Sequence, residues 1–172
     1  FLLDHDRIEQ LIDLGVKHLQ LSIDAMEPSK VSRKAFNPMR EKLAYLVEKP
    51  IWMAVHAVVM PGAVDEARQV AEACFEMDIP VGFSMVHNHG QIDPAVYEDC
   101  AAFYEWLEEQ KLNGKSVDTP YSGLHFRREM LRGKSPEWTC LAGAKSFYVT
   151  TDGKFQFCHH MRSDVDLLSV RR

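Results

Sequence analysis

The stretch His18-Leu19-Gln20-Leu21-Ser22-Ile23-Asp24 alternates polar and apolar side chains with a period of two, and so reads as a β-strand with two unlike faces. Leu19, Leu21 and Ile23 share one face, and His18, Gln20, Ser22 and Asp24 share the other. Upstream, Ile8, Leu11 and Ile12 recur at helical spacing and Gly15 supplies a left-handed stop, which predicts a helix that ends there. Downstream, residues 30–48 carry Val31, Phe36, Met39, Leu43, Leu46 and Val47 in a mostly helical pattern. Pro38 breaks that pattern into a short first piece and a second helix from about Met39.

The same unit then repeats. Residues 51–60 form an apolar run rich in β-formers, closed by Pro61-Gly62, and residues 64–77 set Val64, Ala67, Val70, Ala71 and Cys74 on one helical face. A third strand over residues 81–86 leads through His87-Asn88-His89-Gly90 into a long helix, residues 94–112, with proline at its first turn. A shorter helix is expected over residues 124–131. Three βα units of about thirty residues each predict parallel strands joined by right-handed crossovers. The fold class is α/β, read as the C-terminal half of a partial (β/α) TIM-like barrel over residues 1–133 with a small β-hairpin extension over residues 134–172.

In such sheets ligands gather at the C-terminal ends of the strands. Those ends carry Ser22 and Asp24 on the first strand, His56 with Met60-Pro61-Gly62 on the second, and Ser84 with His87-Asn88-His89 on the third. A parallel strand covered on both sides should be continuously apolar, and residues 18–24 are not. Their polar face looks either into a solvated lumen that holds a polar ligand or, at an edge, into water. A lone histidine such as His56 inside an apolar strand is more often a hydrogen-bonded core residue than a catalyst.

The 172 residues hold 20 basic and 25 acidic side chains, a formal charge of -5, with no Lys/Arg run that would track a phosphate backbone; nucleic acid is not an expected partner. Neither a membrane-spanning apolar run nor a leader is visible, which makes the cytoplasm the default location. The sequence starts at Phe1 without methionine, as if inside a longer protein. Four cysteines in a chain of this size do not make a disulfide framework. Cys74 and Cys100 fall on apolar helix faces and read as core, and Trp52, Trp106 and Trp138 read as packing residues. Glu108-Glu109-Gln110-Lys111 and Arg127-Arg128-Glu129 read as solvated helix faces, and His5, His18 and His125 as surface or satisfied side chains.

Cys140 and Cys158 stand apart. They flank two β-rich runs joined at Asp152-Gly153, whose positive φ angles suit a two-residue hairpin turn; that turn would set Cys158 opposite Phe147 and bring the two sulfurs together. The thiolates suit a metal cluster. A zinc site from Cys140, Cys158, His159 and His160, or a Cys140–Cys158 disulfide, is the simpler alternative.

Ser22-Ile23-Asp24 at a strand end, Arg33 in the helix expected after it, and Cys140 followed by a hairpin with Gly153-x4-Cys158 together resemble radical S-adenosylmethionine (radical SAM) enzymes with a C-terminal twitch or SPASM extension. The resemblance covers nearly the whole chain. It implies that Ser22 and Arg33 bind the methionine carboxylate or ribose of SAM, with Asp24 orienting Arg33, touching the ribose or meeting substrate. It further implies that Val58 to Met60 line the adenine, that His56, Ser84 and His87 face the substrate, and that Cys140 and Cys158, with His159 as a further ligand, hold an auxiliary [4Fe-4S] cluster. The family's Cys-x3-Cys-x2-Cys loop is absent from these residues and is expected upstream of Phe1, so the fragment alone would form no radical. The intact enzyme implied would cleave SAM reductively and take hydrogen from a small-molecule or peptide substrate, drawing electrons from a flavodoxin or ferredoxin. The resemblance names no catalytic residue. The rival expectation is a non-catalytic α/β module that binds a ligand or partner and carries a structural zinc or disulfide clip.

Overall fold

Asp4 opens the first helix, its carboxylate accepting the Arg7 backbone N–H at 2.9 Å, and Gly15 closes it with φ +80. In the computed structural model of the chain, residues 3–30, 32–86, 93–135, 144–145, 147–157 and 165–166 are described. Helix α1 (His5–Asp13) leads to β1 (His18–Ser22), and a 3-10 turn (Asn37–Met39) runs into α2 (Arg40–Val47). Then come β2 (Trp52–Val59), α3 (Val64–Glu76), β3 (Val81–Met85), α4 (Pro94–Leu112) and α5 (Tyr121–Leu131). Three short strands follow: β4 (Tyr148–Val149), β5 (Lys154–Gln156) and β6 (Val165–Asp166). The described residues fall into two compact units, one ending at residue 134 and the other following it.

The first unit is mixed α/β around a parallel sheet of order β1-β2-β3, with Ser22 beside His56 and His56 beside Gly82. Past β3 the chain adds one more parallel contact. Val81 donates to Ser116 O at 3.0 Å and accepts from Asp118 N at 2.9 Å, making a bridge to Val117. Strand neighbours therefore follow chain order, and α4 connects β3 to this bridge as α3 connects β2 to β3.

The two sheet faces are chemically different. Met53, Val55, Ala57 and Val59 of β2 and Val81 and Phe83 of β3 enter one hydrophobic core with Val70, Ala71 and Cys74 of α3 and Phe103 of α4. Phe83 meets Phe103 edge to face at a centroid distance of 4.8 Å. The opposite face carries His18, Gln20 and Ser22, all exposed, then Trp52, Ala54, His56 and Val58, then Gly82 and Ser84. Trp52 is 46% exposed, so it is not the packing residue its apolar neighbours suggest; it lies beside His18, ring centroids 5.6 Å apart. Cys74 and Cys100 are fully buried, as their helix faces predict, and burial pushes both thiols up to about 12.

Two further sequence expectations need correction in this unit. Arg33 does not lie in a helix. Pro28 and the Ser29–Ser32 turn, in which Ser32 N donates to Ser29 Oγ at 3.0 Å, keep the described residues of this segment out of helix, and helical structure begins only at Asn37. The charged runs on α4 and α5 are not merely solvated: Glu108 is 3% exposed and accepts from Arg128 at 2.9 Å, while Arg132 bonds Glu105 at 2.9 Å. These helices face each other through their charges.

The second unit is an antiparallel sheet of order β4-β5-β6. Its first hairpin turns at the expected place but with a three-residue loop. Gly153 N donates to Thr150 O at 2.9 Å, Thr150 N to Lys154 O at 2.9 Å, and Gly153 takes φ +78. Tyr148 consequently pairs with Gln156, one residue away from the register a two-residue turn gives, and the expected Phe147–Cys158 pairing falls outside the described residues at Cys158. Among the described residues, no helix is long and apolar enough to cross a membrane.

Candidate functional site

The C-terminal end of β1 is built around Asp24. Ile23 N still donates to His56 O at 3.1 Å in the β1–β2 ladder, and one residue later the Asp24 side chain takes over: its Oδ1 accepts the Val58 backbone N–H at 3.2 Å. Its Oδ2 accepts from Ser32 Oγ at 3.4 Å and faces Lys34 Nζ at 3.7 Å. Asp24 N donates to Lys34 O at 2.9 Å, so the irregular segment is held against the strand end from both sides. Asp24 is thus a clamp between the ends of β1 and β2, using about half of its acceptor sites for hydrogen bonds within the protein.

That clamp brings residues 32–34 to the strand end carrying Ser22. Ser22 and Arg33 are both exposed, and the Arg33 guanidinium makes no ion pair with a described residue. One strand over, His56 Nε2 lies 2.8 Å from Ser84 Oγ. Gly82 makes room for that ring, because a Cβ there would stand 3.1 Å from His56 Nδ1 and 3.7 Å from Asp118 Cβ. Burial holds the His56 imidazole below its ordinary value; the Arg127 guanidinium pushes the same way, and Asp118 and Asp24 oppose it. The ring is half-buried and neutral near pH 7, able to donate from one nitrogen and accept at the other.

Arg127 and Asp118 were not legible as site residues. Arg127 reaches from α5 to the edge of β3, donating to Phe83 O at 2.8 Å with Thr119 Oγ1 at 3.4 Å. Tyr104 OH donates to the same carbonyl at 3.2 Å, and burial pushes that phenol up to about 12. The only sequence signal was the Arg127-Arg128 pair in an amphipathic helix, and it does not separate the two arginines. Arg128 joins Glu105, Glu108 and Glu129, whereas Arg127 turns toward the sheet.

Ser22, Asp24, His56 and Ser84 therefore share one end and one face of the sheet, with Arg33 on the loop beside them. His87, Cys140, Cys158 and His159 lie outside the described residues. Among the described residues no cluster of three His, Cys, Asp or Glu side chains could hold a metal ion. Two concavities of about 340 and 330 Å³ lie elsewhere: one beside His5 and Glu41, the other at the N-terminal strand ends near Ile51, Asp78 and Ser116. Neither gathers the hydrogen-bonding groups found at the C-terminal ends. No protein-family model and no curated protein matches this sequence.

Proposed function

We propose that this chain is part of a radical SAM enzyme, contributing one arc of its (β/α) barrel and an auxiliary iron-sulfur extension. The observation that carries this reading is the sheet itself. Parallel strands in chain order, with the helical core on one face and Gln20, Ser22, His56 and Ser84 on the other, are what an arc of barrel wall with a polar lumen requires.

In this reading Ser22 and Arg33 hold the methionine carboxylate or ribose of SAM, and Asp24, engaged with Val58 N and Ser32, fixes the strand end and loop that present them. His56 and Ser84, with His87, face the substrate. SAM, once reductively cleaved, supplies the hydrogen-abstracting chemistry. Cys140, Cys158 and His159 are the proposed ligands of the auxiliary [4Fe-4S] cluster; the buried, protonated thiols of Cys74 and Cys100 are unsuited to that role. The substrate is a small molecule or a peptide, and the reductant a flavodoxin or ferredoxin.

Anaerobic reconstitution with iron and sulfide, followed by SAM titration, tests the proposal. Bound iron that is lost in Cys140→Ser and Cys158→Ser, and SAM binding weakened about tenfold by Arg33→Met, the equivalent of one charge-assisted contact, are expected. One zinc per chain, or no metal, together with SAM binding indifferent to Arg33, would overturn it in favour of a binding module with a structural clip.

A further inference from the structure

His56 of β2 and Ser84 of β3 are joined directly, Nε2 to Oγ at 2.8 Å, near the C-terminal ends of their strands and on the polar face of the sheet. Both side chains are half-buried, so their surroundings hold the pair while its outer side meets solvent. A serine hydroxyl alone is too weakly acidic to attack a carbonyl at neutral pH, and it becomes a nucleophile when an adjacent ring nitrogen takes its proton. That nitrogen is available here, because burial keeps the His56 ring unprotonated near neutrality.

When Nε2 accepts from Ser84, the single proton of the neutral ring sits on Nδ1. Nδ1 borders the gap left by Gly82, and so does Asp118: a Cβ on Gly82 would stand 3.1 Å from His56 Nδ1 and 3.7 Å from Asp118 Cβ. Asp118 follows the Val117 bridge, is exposed, and carries a charge that favours a positive ring. Asp24, the other carboxylate whose charge reaches the ring, is already engaged by Val58 N and Ser32 Oγ. The hydroxyl therefore stands on the Nε2 side of the imidazole and the aspartate on the Nδ1 side, which is the order that acyl transfer uses.

We propose that Ser84 is a nucleophile for acyl transfer, with His56 as its general base and Asp118 as the residue that positions the ring, and that the acyl donor is a carboxylic ester. Ser84 Oγ bonds to the carbonyl carbon as its proton passes to His56 Nε2. The tetrahedral adduct then expels the alkoxide, which takes that proton and leaves as the alcohol. Water, deprotonated by the same nitrogen, attacks the acyl group on Ser84, and departure of the carboxylic acid returns the proton to Ser84 Oγ. No oxidant, reductant or further co-reactant enters. The assignment goes beyond the radical SAM reading and does not depend on it, since Ser22 and Arg33 take part in no step.

Two probes test it on the intact 172-residue chain. Diisopropyl fluorophosphate reports an activated serine by forming an O–P bond with loss of fluoride, and p-nitrophenyl acetate reports acyl transfer; peptide mass mapping locates both adducts. One adduct per chain on Ser84 is expected, at a rate that rises with pH as the His56 ring, followed by NMR on the same samples, loses its proton. Ser84→Ala should abolish labelling, and His56→Gln should slow it about a hundredfold or more. Gly82→Ala, whose Cβ would crowd Nδ1, should slow it while leaving Ser84 in place. Asp118→Asn should slow it and move the ring nitrogen resonances toward the other tautomer. No adduct on the folded wild-type chain, adducts on other residues alone, or a wild-type rate in His56→Gln would overturn the proposal. Phosphorylation of Ser84 without acetylation would overturn the ester as donor, and an unchanged rate and tautomer in Asp118→Asn would overturn the part given to Asp118. If circular dichroism shows His56→Gln unfolded, the wild-type pH profile decides: a rate indifferent to the protonation of His56 refutes its role as base.

Discussion

Replacing Asp24 with alanine tests whether this carboxylate is a clamp between strand ends. The Val58 N–H that it accepts at 3.2 Å is partly shielded, and without an acceptor such a group costs about 1–3 kcal/mol. The contact to Lys34 is long, 3.7 Å, and Lys34 is 56% exposed, so losing it costs at most about 0.5 kcal/mol. The backbone term wins. Asparagine retains an oxygen for Val58 and forfeits only the charge, so Asp24→Asn should cost less than about 1 kcal/mol. With a urea dependence of roughly 1.5–2 kcal/mol per molar, the alanine variant should unfold about 1 M earlier than wild type, and the asparagine variant less than half that. Equilibrium urea unfolding followed by far-UV circular dichroism gives both midpoints. Equal losses for the two variants would refute the reasoning, because the charge rather than the acceptor would then carry the effect.

Arg128→Met should destabilise the first unit by about 3–5 kcal/mol by stranding the buried Glu108 carboxylate, and Glu108→Leu with Arg128→Leu should recover most of that in urea unfolding. His56, whose folded pKa is depressed, binds its proton more readily in the unfolded chain; stability should therefore fall as pH drops below the ordinary value of 6.5, and His56→Asn should flatten that part of the profile measured by thermal melts. Gly153→Ala forces a side chain into φ +78, which costs roughly 1–2 kcal/mol, and should raise amide exchange at Thr150 and Lys154 while leaving β1–β3 unchanged.

The parallel sheet was legible because each strand and helix announces itself within its own thirty residues: Gly15 stops α1, Pro61-Gly62 stops β2, and Pro94 starts α4. The even-numbered polar face was legible from residues 18–24 alone. What the sequence could not show depends on partners far along the chain. The Val117 bridge is a single residue and has no periodicity to detect. Glu108 and Arg128 each look like surface charges until their helices meet. Gly82 reads as a weak point in a strand, and its purpose appears only when the His56 ring occupies the space beside it. The hairpin was placed correctly at Asp152-Gly153 but slipped by one residue, because Gly153 fits both a two-residue turn and the αL position of a three-residue one.

The engagement of the Phe83 carbonyl by Tyr104 and Arg127 gives the first sheet a polarity of growth. On that flank the Val117 bridge takes up the Val81 backbone, and beyond it side chains consume the acceptor that an incoming backbone would use, so the ladder ends there. The flank formed by β1 has no such seal among the described residues. Lateral association, whether with further protein or between copies at high concentration, will therefore start at His18–Ser22, and a lysine or proline introduced there is the substitution that would suppress it.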